Sequence, residues 1–316
     1  MTYATGQAIL ASHYMGFRGS TDPNVAYSND LAATDKLAAL IGVGYGTRGY
    51  GQVSVAIPSV IAGSSITATG WNDMFSVMSD INTHTGSGLT IPSNVLAGDI
   101  IHAYDGTGGR ADLAALISTL DTNRNLYDIS QMSLSSKLSS TRTTSWSSAV
   151  THEFTVAFAN EDSARYFFNS GGQIYLSANR SGGTTNHLND AMTQLLSDMG
   201  TIRIGANATT YTGSGGTAYS VGYYGLTINP SGFSTLFVHA GSAYGYTTIS
   251  YSIRARVESY TGSNGGNGSL LRIQAVFASG IAYYVLDGTL VSNISQLSSS
   301  GVLTIASPTY TTTSAL

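Results

Sequence analysis

The sequence predicts an α+β protein: a small mixed N-terminal region with short helices, then a mainly antiparallel, β-sandwich-like C-terminal domain with two packed helices. Three observations predict it. Early in the chain apolar residues recur at helical spacing, as in Trp71, Met74, Phe75 and Met78. From His152 the period falls to two, with Phe154, Val156 and Phe158 on one side and Glu153, Thr155 and Ala157 on the other. Further on, Ile249, Tyr251, Ile253, Ala255 and Val257 alternate with polar residues, and an Asn/Gly loop at Gly262–Gly268 leads into a second alternating run, Leu271, Ile273, Ala275 and Phe277.

Residues 1–105 form the first region, expected to serve attachment and oligomerisation. It carries three Gly-x-x-Ile-x-Ala copies, starting at Gly6, Gly63 and Gly98, each followed by an aromatic residue: Tyr14, Trp71 and Tyr104. After the first two copies Ser12 and Thr69 stand where helix N-caps belong, and Tyr14 and Phe17 then fall at helical spacing. The copies are unequally spaced, which excludes a solenoid of fixed period. Leu37–Ile41 reads as helix. It is followed by Gly44, Gly46 and Gly49 in a formal G-x-G-x-x-G, and then by an alternating strand over Gln52–Pro58. A dinucleotide fold needs strand, glycines and helix in that order, and here the order is reversed. The glycines are therefore assigned to tight turns or to close approach of a neighbouring subunit.

Residues 106–150 read as a helical and Ser/Thr-rich connector. One helix is expected over Ala111–Leu120, a weaker one over Leu126–Met132, and a long loop or edge strand over Ser133–Ser148.

The β-rich domain, 151–316, is organised around Glu161–Gly183. Asn160 caps a helix whose first turn holds Glu161 and Asp162, where acids suit the N-terminal dipole, and Gly171 supplies the left-handed stop before Gly172 and an alternating strand. Phe167, Phe168, Ile174 and Leu176 are expected in the core beneath an amphipathic helix over Leu188–Met199, which Gly200 ends. Further strands are expected over Thr201–Ile204, Tyr219–Ile228, Phe233–His239, Ala282–Leu286 and Val302–Ala306.

Composition narrows function. Charged residues are 9 % of the 316 positions against roughly 25 % in an average soluble protein, while 20 are tyrosines. Such surfaces suit permanent assembly, because the centres of interfaces are poor in charge and rich in Tyr. A net charge of −4 gives no electrostatic footprint for nucleic acid. There is no cysteine, no window of eighteen apolar residues and no basic-then-apolar leader, so neither a thiolate site nor membrane insertion is expected.

No catalytic, cofactor or metal residues are assigned. His13, His84, His102, His152, His187 and His239 lack helical metal-site spacing, only Glu153, Glu161 and Glu258 among the 17 acidic residues are glutamates, and no G-x-S-x-G elbow occurs. Asp287-Gly288 reads as a turn. Structural or interface roles are assigned instead to Tyr14, Trp71, Tyr104, Phe167, Phe168, Gly171, Gly172 and Arg180.

The stretch Ser163–Ile174, with Arg180–Gly183 and Leu195–Ile202, resembles virion structural proteins of tailed bacteriophages. So do Gly49–Gln52, Gly63–Trp71 and Ser300–Pro308, so the likeness covers most of the chain with gaps; the first Gly-x-x-Ile copy departs from it at His13-Tyr14-Met15. The resemblance implies a non-enzymatic component of the virion: a tail, neck, baseplate, fibre-like appendage or decoration subunit. Its partners would be copies of itself and other virion proteins. The alternatives are a receptor- or glycan-binding module, with host surface glycan as partner and the Tyr/Gly/Asn-rich loops at Tyr211–Tyr224 and Ser263–Gly268 as its feature, and an envelope-polysaccharide hydrolase.

Overall fold

The computed structural model describes residues 11–18, 37–52, 57–60, 65–99, 110–281 and 283–313. The chain divides into two compact units. The first comprises Met1–Ser133, Arg165–Gly171 and Ser299–Ile305, and the second Leu134–Ala164, Gly172–Ser298 and Ala306–Leu316.

The first unit is helical: α1 (Ala11–Arg18), α2 (Leu37–Ile41), α3 (Ala68–Thr85) and α4 (Arg110–Thr122). One face of α3 buries Trp71, Met74, Phe75, Met78 and Ile81 in a core shared with Tyr14, Phe17, Leu40, Ile41, Leu113, Ile117 and Leu303. Its cap is Thr67, whose side chain accepts from the Gly70 N–H at 3.1 Å, and Gly86 ends it at φ 64°. The cap thus lies two residues before the expected Thr69, and Ser12 also falls inside its helix rather than ahead of it. Gly6–Leu10 of the first Gly-x-x-Ile copy, Ile100–Ala103 of the third, and most of the Gln52–Pro58 strand lie outside the described residues. Over Leu126–Met132 the weaker helix shrinks to one 3₁₀ turn, Ile129–Gln131, capped by Asp128.

The second unit is a sandwich of two antiparallel sheets. One is five-stranded, in the order β1 (Met132–Arg142), β10 (Thr289–Ser299), β3 (Gln173–Ser181), β4 (Ile202–Ile204) and β5 (Thr209–Tyr211). The other is six-stranded, in the order β11 (Thr309–Thr313), β2 (Ala149–Ala157), β9 (Leu270–Ala278), β8 (Ser250–Glu258), β7 (Ser234–Ala240) and β6 (Thr217–Ala218). The alternation read in β2, β8 and β9 is the inner face: Phe154, Val156, Tyr251, Ile253, Ala255, Val257, Leu271, Ile273, Ala275 and Phe277 are all buried. The Ser/Thr-rich segment after Met132 is an edge strand, as its composition allowed. Two polar contacts join the sheets, His152 Nδ1 to Ser292 Oγ at 2.8 Å and Tyr310 Oη to Gln296 Oε1 at 2.7 Å. Helix α6 (His187–Met199), capped by Asn186 and ended by Gly200, contacts β3 of one sheet and β7 and β8 of the other.

Three expected strands are corrected. Tyr219–Ile228 contains a 3₁₀ turn, Tyr223–Gly225, because the Tyr223 ring is buried and its hydroxyl donates to the Gly268 carbonyl at 2.9 Å. The described part of Ala282–Leu286 contributes only an isolated bridge between Leu286 and Trp146. Val302–Ala306 is irregular, with Leu303 buried in the core of the first unit. In their place the chain forms β10 and β11. The inward positions of β10 include Ser292 and Gln296, which break the apolar alternation but are satisfied across the sandwich.

The organising segment forms α5 (Glu161–Asn169) and then β3. Asn160 caps it by accepting from the Ser163 N–H at 2.8 Å, and Gly171 has φ 79°. Ile174 and Leu176 are buried on β3 in the second unit, whereas Phe167 and Phe168 belong to the first, which corrects their expected shared place beneath α6.

Candidate functional site

The strand registers place four loops of the second unit at one end of the sandwich. Ala149 pairs with Ala278, Ala278 with Ser250 and Ser250 with Ala240, while Thr289 pairs with Ser181. The loops leaving these positions are 143–148, 182–186, 241–249 and 279–288. Two of them, 143–148 and 279–288, hold each other. Trp146 and Leu286 exchange backbone hydrogen bonds, both at 2.8 Å, and the Ser279 hydroxyl donates to the Ser147 carbonyl at 2.6 Å.

Beneath them lies a polar node. Arg180, at the end of β3, is 7 % exposed. Its guanidinium donates to the Asp287 carbonyl at 2.6 Å, the Gly182 carbonyl at 3.0 Å and Thr193 Oγ1 at 3.2 Å, and lies 3.4 Å from the Asp287 carboxylate. That carboxylate also accepts from the Thr184 N–H at 3.0 Å and from Asn189 Nδ2 at 2.5 Å. The Thr184 bonds, with the Arg180 charge, hold the Asp287 carboxyl below the usual range; burial lowers the Arg180 pKa from its ordinary value, opposed by Asp287. The turn expected at Asp287-Gly288 is therefore a lock between two loops, and Arg180 is its buried half.

Above the node the loops present tyrosine and hydroxyls. Tyr283 is 94 % exposed, Tyr284 60 % and Tyr244 61 %. Tyr244 adopts φ 54°, rare for an aromatic residue, and its ring stacks on that of His187 with centroids 4.7 Å apart and planes at 22°. In the same four loops Thr143, Thr144, Ser145, Ser147, Ser148, Thr185, Ser242, Thr247 and Thr248 are exposed. Among the described residues of the four loops Asp287 is the one carboxylate, and there is no Lys or Arg. Rigid amphipathic rings among small hydroxyl-bearing residues, on loops held by a sandwich, are the chemistry of recognition surfaces.

The other described candidate residues pack inside the chain. Tyr14 and Trp71 meet edge to face at 5.2 Å inside the first unit, and the Tyr14 hydroxyl donates to the Gly70 carbonyl at 3.0 Å. Tyr104 lies outside the described residues. Phe167 and Phe168 pack edge to face at 5.1 Å, Gly172 is buried, and a Cβ on Gly171 would stand 2.3 Å from the Tyr127 ring.

The glycine loop after α2 has a guest within the chain. Arg165, fully buried, donates to the carbonyls of Val43 and Gly46 at 2.8 Å, Arg48 at 3.1 Å and Gly44 at 3.2 Å, and Asn169 Nδ2 reaches Gly46 and Gly49 at 3.0 and 3.2 Å. Left-handed φ at Gly44, Gly46 and Gly49 turns these oxygens inward. The loop therefore cradles a cation through carbonyls, where a phosphate site offers N–H groups. Glu161, likewise, does more than start a helix. Its carboxylate accepts from Thr261 N–H and hydroxyl, Ser263 N–H and Gly268 N–H, pinning the β8–β9 loop.

Compared with known proteins, the chain matches no protein-family model, no curated protein and no solved structure. No group of three or more His, Cys, Asp or Glu among the described residues could hold a metal ion, and no described helix is long and apolar enough to cross a membrane.

The tyrosine loops are the part of this end that sequence reasoning missed. Tyr283-Tyr284-Val285 falls within the strand expected over Ala282–Leu286, whereas the ends of β9 and β10 leave it in the loop between them.

Proposed function

We propose that the chain is a non-enzymatic structural component of a tailed bacteriophage particle, an appendage or decoration subunit of tail, neck or baseplate that works by assembling with copies of itself and other virion proteins. The observation that supports it best is the loop end of the sandwich, a nearly uncharged, tyrosine-bearing surface whose 182–186 and 279–288 loops are tied by the Arg180–Asp287 node. The low charge of the whole chain and the stretches resembling virion proteins support the same reading. In this reading the first region attaches the subunit to the particle, and the sandwich supplies contact surface.

A second reading makes the chain a receptor-binding module of such a particle, favoured by the fixed Tyr244–His187 stack on an exposed loop. The third, an envelope-polysaccharide hydrolase, predicts turnover on host envelope that Asp-to-Asn variants abolish; the structural reading predicts no turnover. Mass spectrometry of purified particles, paired with sedimentation of the isolated protein at high concentration, tests the assembly. Stoichiometric copies in the particle and self-association are expected. Absence from particles together with a monomer at all concentrations would overturn it.

A further inference from the structure

We infer that the loop end of the sandwich is a binding site for a neutral carbohydrate, with Tyr244, Tyr283 and Tyr284 as its ring platforms. This deepens the reading of that end as a contact surface and rests on it.

Three features choose the ligand class. The first is charge. Loops 143–148, 182–186, 241–249 and 279–288 contain one ionisable carboxylate and no Lys or Arg among their described residues, and the carboxylate, Asp287, is engaged by Thr184, Asn189 and Arg180. Of the strand-end cations, Arg180 is committed to Asp287, and Arg142 donates its Nε to the Thr144 carbonyl at 3.0 Å. A uronate, sialate or phosphate would lose its hydration here without gaining a dedicated counter-charge.

The second is the apolar content. Here Val285 is the one exposed aliphatic side chain of its size in the four loops, and the rest of the exposed surface is tyrosine, Ser, Thr and Gly. A pyranose has the complementary make-up: a C–H face that covers an aromatic ring, and a rim of hydroxyls that exchange hydrogen bonds with Ser, Thr and backbone groups.

The third is preorganisation. Tyr244 is held in a left-handed backbone conformation with one ring face on His187, so its placement is fixed before any ligand arrives. The other three loops at this end are tied by the Arg180–Asp287 node and the Trp146–Leu286 bridge. Weak, multivalent sugar binding gains from such rigidity, and many copies on one particle would raise its avidity.

The test is an array of neutral and acidic oligosaccharides probed with the full chain, alongside Tyr283→Ala, Tyr244→Asn and Tyr244→Phe. Asn tolerates the left-handed backbone at position 244, and Tyr283 is almost fully exposed, so these variants should melt like the parent. Binding to at least one neutral glycan is expected, reduced about tenfold or more by Tyr283→Ala and Tyr244→Asn and kept by Tyr244→Phe. No neutral glycan bound, acidic glycans alone bound, or binding indifferent to both ring deletions would each overturn the inference. Particle mass spectrometry separates the two proposals: a chain present in particles that binds no neutral glycan overturns only this one, and a glycan-binding chain absent from particles overturns only the virion assignment.

Discussion

Arg180 and Asp287 stand 107 residues apart in sequence, and the Arg180 Nε donates to the Asp287 carbonyl at 2.6 Å while the two charged groups lie 3.4 Å from one another. Through this pair the chain leaving β3 and the chain entering β10 are held as one edge. Asp287→Ala leaves a nearly buried guanidinium without its anion and frees the Thr184 loop. A loss of about 2–3 kcal/mol is expected, read from the urea midpoint of unfolding. A change below about 0.5 kcal/mol would mean that the loops are held by other contacts.

Each unit also hides a histidine. His84 is buried against Tyr50, with ring centroids 5.4 Å apart, and His152 against Phe277, at 5.3 Å. Burial lowers both pKa values to about 4, partly opposed at His84 by the Ser170 backbone and reinforced at His152 by the Arg142 charge. Between roughly pH 6.5, where a free His titrates, and pH 4 the unfolded chain binds more protons than the folded one. Stability is therefore full above pH 6.5 and falls as the pH drops, by up to about 1.4 kcal/mol per pH unit for each His. Urea titrations at pH 7.5, 5.5 and 4.5 should show this fall, and His152→Gln should remove about half of it, leaving the His84 contribution. A stability independent of pH over that interval would contradict the neutral, buried assignment.

Gly171 has φ 79°, and a Cβ there would stand 2.3 Å from the Tyr127 ring. Gly171→Val meets backbone strain and a clash together, and should lose about 2–4 kcal/mol or fail to fold. A soluble variant that melts like the parent would show that the helix stop does not depend on glycine.

Arg165 is a planar donor in a cage of carbonyls from the glycine loop. Lys cannot reproduce that fork, so Arg165→Lys should cost about 2 kcal/mol or more although the charge is kept. Equilibrium denaturation measures it. An unchanged midpoint would mean that the loop closes without its guanidinium.

Much of this architecture was legible in periodicity and punctuation. Asn160, Gly171 and Gly200 act locally, through caps and left-handed backbone, so single positions announce helix ends, and strict alternation in β2, β8 and β9 reports an inner face directly. Long-range partners were not legible. Ser292 and Gln296 look like surface residues until His152 and Tyr310 are brought opposite them, and nothing near Glu161 announces Thr261 or Gly268. The loop end was missed for the same reason: Tyr244 and Tyr283 lie in different loops, and only strand register assigns both to one end of the sandwich.

The proposed virion role is tested by reconstructing a bacteriophage particle in which this chain can be traced. Repeated, symmetry-related copies are expected, with the loops around Tyr244 and Tyr283 at a subunit contact or on the outer surface. A particle without this chain, or one in which that end faces unfilled solvent inside the assembly and touches nothing, would contradict it.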